Sequence, residues 1–495
     1  MITSVIIAAL VYVAFLLGVG VYAYTKAKTL SDYLIAGRTL GPWILAFTYC
    51  TSWFSAGSLV GAAALPYKFG LAMMWGITFA IIFMLLVPFI GWGGRVRVMT
   101  EKLKALTVPD FLGKRYQSIG VRQLCAIVVI VFAGIYLVSI LAAMGTVFEG
   151  VAEVPYSTGV IIFAACVIAY VSLGGFKGLA LANFFQGCVM LAGIVAIPII
   201  GLSKIGGYSQ LVTRLGEINP KLVEMPGIPG WPFFFGFLIM AASVATWGNP
   251  HFMVQFFTMK DKRVVRWALP IAIVFSAIMG GSSWLGGAIG RVLLTDLSRP
   301  DLVIPTLVHQ YLPFVLVVLW VFAMLAASMT SAGTFLLVVG SAFSRDIFQG
   351  LLKKDASERQ TLIVSRVMTL VVGVITIALA IKPPELIFVL LVAAVGLSGA
   401  SFIPSFLGGL WWKRGTKMGA IFSIASGLLA SIYFWKINPS LGTMLGGHFF
   451  VPSVAISTVL YIVVSLLTEP PEKEFVSSLF EEFESKKLTS KSEVS

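Results

Sequence analysis

One feature constrains this chain more than any other: about thirteen apolar stretches, each 18 residues or longer, recur along its 495 positions. A helix rises 1.5 Å per residue, so each stretch is long enough to cross roughly 30 Å of hydrocarbon. Strands of a membrane barrel would be shorter and would alternate apolar with polar side chains, which these do not. The predicted spans are 2 to 24, 42 to 66, 70 to 94, 123 to 149, 155 to 172, 180 to 203, 231 to 257, 267 to 290, 313 to 341, 361 to 381, 385 to 408, 418 to 435 and 449 to 467. With 58% hydrophobic residues, 11% charged residues and a mean hydropathy of +0.97, composition also lies outside the soluble range. The expectation is an all-α integral membrane protein in the lipid bilayer. Residues 1–467 form a single transmembrane unit, and 468–495 form a short cytoplasmic tail that is solvated or lies on the surface.

Lys and Arg near span ends are retained on the cytoplasmic side, and here they fall unevenly. With residue 1 outside, 27 of the 35 Lys and Arg lie inside, in the loops around Lys26, Arg95 to Arg122, Lys177, Lys260 to Arg266, Arg345 to Arg366 and Lys413 to Lys417, and in the tail. The net charge of +14 is thereby explained by retention and by anionic lipid, with no nucleic acid as partner. The first span lacks a basic region before it and a small-residue cleavage site after it, so it reads as a retained helix.

The four cysteines have no C-x-x-C spacing, and His251, His309 and His448 stand in separate segments, so they suggest packing rather than a metal site. No hydrolase or nucleotide-binding motif is present. The reading is therefore a carrier, not an enzyme, and it needs no cofactor. All 21 Asp and Glu lie in loops, at span ends or in the tail. Polar groups at the membrane centre are then hydroxyls, amides and carbonyls. Such neutral oxygens suit Na+ better than a proton as coupling ion.

Those oxygens cluster in three spans. FTYCTSWFSAGS places Thr48, Thr51, Ser52, Ser55 and Ser58 at mid-span, where hydroxyls can satisfy the backbone of a broken helix. SVATWGNPHF puts Pro250, which has no N–H, close to Gly248, and predicts unwinding near Thr246. AASMTSAGT sets Ala327, Thr330 and Ser331 at i, i+3 and i+4, so two hydroxyls and a carbonyl share one helix face, while Ser328 points elsewhere. Each feature alone is compatible with helix packing. Breaks in corresponding helices of two halves point instead to a transporter's binding site. Counting from the second span, two sets of five helices make an inverted repeat over about 42–203 and 231–408, leaving one extra helix before and two after.

The segments DYLIAGRTLGPWILAFTYCTSWFSAGS, VSLGGFKGLALANFFQG, WGNPH and AASMTSAG resemble the sodium/solute symporter family, through nearly the whole chain. The resemblance implies a LeuT-like five-plus-five fold with 13 helices and one sodium site between the first and eighth helices of the repeat. Its ligands would be the carbonyls of Thr51, Phe54 and Ala327 and the hydroxyls of Thr330 and Ser331. Asn183 stands where many relatives have an Asp associated with the ion's exit path, and Trp53 stands where proline carriers have an Asp. PYKFGL, GRVLLTDLSRPDLVIPTL and IKPPELI are most similar to the pantothenate-carrier branch. Ser52, Ser55 and Thr246 are the expected substrate-binding groups. Trp247 either walls the pocket or packs against a neighbouring helix. The expected function is Na+-coupled uptake of a small organic solute, pantothenate or another small monocarboxylate. An amino acid such as proline, a sugar, and proton-coupled or uncoupled transport are the alternatives.

Overall fold

The structure is a computed structural model that describes Gly18 and residues 30–492 except 295, 296, 383 and 385. The span expected at 2 to 24 thus lies outside the described residues, Gly18 apart. Among the described residues the regular structure is helical, and ten helices are long and apolar enough to cross a membrane. Eight helices are labelled here: α1 (Pro42–Trp53), α2 (Ala56–Phe69), α3 (Ile119–Ala152), α4 (Tyr156–Ile194), α5 (Pro250–Phe257), α6 (Phe314–Ser341), α7 (Ile387–Trp411) and α8 (Lys473–Ser492). α7 forms the centre, with 89% of its apolar window buried inside the protein, against 28% for Glu358–Ala380 at the periphery.

The predicted second span is two half-helices. Pro42 opens α1, where its missing N–H costs nothing. Phe54 leaves helical geometry (φ −79°, ψ 74°), and Ser55 is extended. The backbone groups freed by the break find hydroxyl partners. Ser55 Oγ accepts from the Ser58 N–H at 3.2 Å, and Ser58 Oγ donates to the carbonyls of Trp53 (2.8 Å) and Ser55 (3.0 Å). Ser328 Oγ on α6 accepts from the Ala56 N–H at 3.3 Å.

A second break follows the same logic by other means. A π-helical stretch, Phe234–Ala241, gives way to a 3-10 turn, Val244–Gly248, and Pro250 then opens α5. Gly248 is required here, because a Cβ on it would sit 2.7 Å from the Gly399 Cα of α7. Ser398 Oγ donates to the Gly248 carbonyl at 2.9 Å and ties the break to α7.

In α4 the helical backbone continues through the segment near Lys177, where the sequence predicts a loop. The chain nevertheless folds back there. Ile168 shares a cavity with Ala332 and Leu336 of α6, Phe176 shares another with Leu337 to Ala342, and a Cβ on Gly193 would touch Ala323. The chain thus advances along α6 and then returns, so α4 has two antiparallel arms.

The tail differs from the solvated stretch considered from sequence. Val476, Leu479 and Phe480 of α8 are buried, and Arg95 lies 4.0 Å from the Phe483 ring centroid and 5.0 Å from that of Phe480. Lys262 pairs with Glu482 at 2.6 Å. Amphipathic spacing at i, i+3 and i+4 gives α8 an apolar face, and the basic loops supply cations above its rings.

Candidate functional site

Where α6 crosses the first break, four of the five expected sodium ligands are held together by hydrogen bonds. Thr330 Oγ1 donates to the carbonyls of Thr51 (3.0 Å) and Ala327 (2.8 Å). Ser331 Oγ donates to the carbonyls of Thr51 (3.1 Å) and Ser52 (3.2 Å). Phe54 sits at the break itself, three residues beyond Thr51, with its N–H bonded to the Cys50 carbonyl at 2.9 Å. All five residues are buried. The arrangement is buried, neutral and oxygen-rich, which is what a desolvated hard cation requires. Ser328, expected to point elsewhere, reaches the start of α2 and belongs to the break.

A cavity lies between the two breaks. Trp53 and Ser58 line it from the first, Ser243 and Thr246 from the second, with Tyr136 of α3 and Trp284 opposite. Among the described residues its lining contains no Asp, Glu, Lys, Arg or His, so a polar solute would meet hydroxyls and aromatic faces. Of the expected substrate residues, Thr246 lines this cavity, its hydroxyl donating to the Ser243 carbonyl at 2.6 Å. Ser52 instead donates to the Thr48 carbonyl at 2.6 Å and accepts from Gln255 Nε2 at 3.2 Å, joining α1 to α5. Ser55 caps α2. Trp247 takes the packing alternative: Nε1 donates to the Phe83 carbonyl at 2.6 Å, and the ring meets Trp92 edge-on at 5.2 Å. Sequence reasoning missed Ser243 and Tyr136 as lining groups. Ser243 was findable, three residues before Thr246 in the same motif.

Asn183 lies on the second arm of α4, fully buried, and neither side-chain polar atom has a hydrogen-bond partner. Gln186, one turn on, is in the same condition and was not singled out from sequence. Gly193 abuts Ala323 of antiparallel α6, so residues seven and ten positions earlier fall roughly level with Thr330 to Thr334. Among the described residues three carboxylates are also buried, Asp110, Asp301 and Asp346, each toward the end of a span or in a connection rather than mid-span. Asp346 accepts from Thr107 Oγ1 at 2.8 Å and Arg122 Nε at 2.7 Å, and Asp110 pairs with Lys114 at 3.0 Å.

Comparison with known proteins bears on this geometry. The chain is 30% identical to the sodium/pantothenate symporter of Escherichia coli over 477 residues, covering 93% of this chain and 96% of that protein. It is 28% identical to the osmoregulated proline transporter OpuE of Bacillus subtilis over 486 residues, covering 95% and 96%. In fold it is similar to a Na+-coupled sialic acid symporter in a substrate-bound outward-open state, with a TM-score of 0.76 at 19% identity, covering 95% of this chain and 99% of that one. The profile described as the Sodium:solute symporter family matches residues 33–427. The chain is therefore a multi-pass membrane transporter, not an enzyme, and it belongs to the sodium:solute symporter family.

Proposed function

We propose that this chain carries a small organic solute into the cell with Na+ bound by Thr51, Phe54, Ala327, Thr330 and Ser331. It would sit in the plasma membrane with residue 1 outside and residue 495 inside. Its 13 helices would include two inverted five-helix repeats, about 42–203 and 231–408. The observation that carries the reading is the convergence of the Thr330 and Ser331 hydroxyls on the Thr51 carbonyl at a helix break bordering the cavity. Asn183 would lie on the ion's way out.

The proposed solute is pantothenate or another small monocarboxylate. A cavity without cationic side chains can still hold a carboxylate, through hydroxyl donors and the N-terminus of the half-helix α2. Proline is the second reading, favoured by the likeness to OpuE. One Na+ moving inward through 100 mV supplies roughly 2.3 kcal/mol, and a tenfold gradient adds about 1.4 kcal/mol. At one-to-one coupling to a neutral solute, that supports accumulation of several hundredfold at most; for a monocarboxylate the two charges cancel, and the ion gradient alone remains. The deciding experiment is uptake of labelled pantothenate, proline and glucose by proteoliposomes with and without a sodium gradient. Sodium-dependent accumulation of pantothenate alone is expected; its absence beside sodium-dependent proline uptake would replace the first solute by the second.

A further inference from the structure

Two cavities lie on either side of one plug. The central cavity reaches Tyr136 and Phe252. A second, at the end of the bundle that carries the basic loops, is lined by Val129, Pro250, Val254 and Leu337 among others. On α3, Val129, Phe132 and Tyr136 follow one helix face at i, i+3 and i+7, so Phe132 stands between the cavities. Phe335 precedes Leu337 on α6 and packs against Tyr136, ring centroids 4.2 Å apart. His251 occupies the space these rings leave. Its centroid lies 5.9 Å from Phe132, 5.7 Å from Tyr136, 4.4 Å from Phe335 and 3.9 Å from Phe252.

His251 is fully buried, and neither Nδ1 nor Nε2 has a hydrogen-bond partner. Packing does not account for the imidazole, because a phenyl ring would fill the same space and strand no polar atom. Its surroundings on α5 repeat the pattern. Asn249 Oδ1 before it and Gln255 Oε1 one turn after it are likewise buried without partners. A polar seam thus descends from the second break through the aromatic plug, with unmet hydrogen-bonding capacity on one helix.

We propose that His251 is a hydrogen-bonding station for the solute in transit, set inside the aromatic plug between the central cavity and the cavity at the basic end. This rests on the proposed passage of a solute through the central cavity. A neutral imidazole offers one N–H donor and one acceptor nitrogen. It therefore serves a solute that carries both an acceptor, such as a carboxylate or amide oxygen, and a donor, such as a hydroxyl or N–H. As the plug rings move aside, such a solute exchanges the hydroxyls of the central cavity for the imidazole, and Gln255 is next along the same face. An apolar solute gains nothing from this path.

The test uses the full chain in proteoliposomes, with labelled pantothenate and labelled proline as probes. His251→Phe keeps the ring and removes both nitrogens; His251→Gln restores a donor and an acceptor. For whichever probe the unaltered protein binds, His251→Phe is expected to leave sodium-dependent equilibrium binding within twofold and to slow solute exchange at least tenfold. His251→Gln should recover at least a third of the rate. Exchange at the unaltered rate in His251→Phe, or binding and exchange lost in equal measure, would overturn the proposal. If neither probe binds, the solute reading has failed, and the plug is tested without solute by an impermeant maleimide applied at each membrane face. Ser341→Cys reports the second cavity and Ser243→Cys the central one. Replacing His251 by Ala should expose Ser243→Cys, at least tenfold faster, from the face that labels Ser341→Cys. An unchanged labelling rate would remove His251 from the barrier.

Discussion

Substituting Thr330 or Ser331 by Ala should weaken sodium activation by an amount the geometry sets. An oxygen bonded to a charged group contributes about 1.5–3 kcal/mol, whereas a neutral hydrogen bond contributes about 1 kcal/mol. Each hydroxyl donates to the Thr51 carbonyl, so an Ala variant loses that neutral bond where no ion is bound and the stronger ion contact where one is. The net cost to sodium binding is then about 0.5–2 kcal/mol, or roughly a two- to thirtyfold rise in the sodium concentration for half-maximal uptake. Folding should suffer by only about 1 kcal/mol, so normal amounts of protein should reach the membrane. Thr330→Ser keeps the hydroxyl and should stay near the unaltered value. Ser328 is unsuitable as a control because it caps α2; Ser457, which bonds Ser423 outside the proposed repeats, serves instead. Sodium activation curves unchanged in both Ala variants, at normal protein levels, would refute the site.

Collapsing the pH gradient while sodium and voltage are held should leave uptake nearly intact; equal accumulation driven by a pH gradient in sodium-free buffer would reverse the choice of coupling ion. Single cysteines placed in the 95–122 and 346–360 loops should react with impermeant reagents only from the cytoplasmic side, and labelling from outside in intact cells would invert the topology. Asp301 lies in the loop between Val264–Leu293 and Phe314–Leu352, where burial pushes its carboxyl up from 3.8 to about 7. A pKa raised on folding means that stability is greatest in acid, falls as pH rises from about 4 to about 7, and levels off above. Asp301→Asn keeps an oxygen for the Ile387 N–H and should remove that part of the slope in thermal unfolding between pH 4 and 8; identical slopes would refute it.

The positions of both helix breaks were legible, because each has a local cause: clustered hydroxyls at Thr51 to Ser58, and Gly248 with Pro250. The i, i+3, i+4 face of Ala327, Thr330 and Ser331 was legible for the same reason. The destinations of Ser52, Ser55 and Trp247 were not. A hydroxyl that could bind a solute can equally satisfy a freed backbone group, and only the path of the chain around the break decides between them. The return of α4 near Phe176 was legible as two spans, but helical backbone at the turn was not, since a Gly-rich basic stretch ordinarily reads as loop. In the tail, the spacing of Val476, Leu479, Phe480 and Phe483 was open to inspection. What it packs against, Arg95 and Lys262 from distant loops, depends on tertiary contacts.

The docking of α8 makes the end of the chain a bracket across otherwise separate loops. Arg95 belongs to the segment after the second expected span of the repeat region, Lys262 to that after α5, and Lys413 to that after α7, and all three meet side chains of α8. Fully burying side chains such as Val476, Leu479 and Phe480 is worth about 1.5–3 kcal/mol each, enough to hold a short helix in place but not to hold it permanently. Deleting 473–495 would not trim a loose end. It would strip aromatic cover from a ring of cations, and three connections now fastened to one another would be free to travel independently.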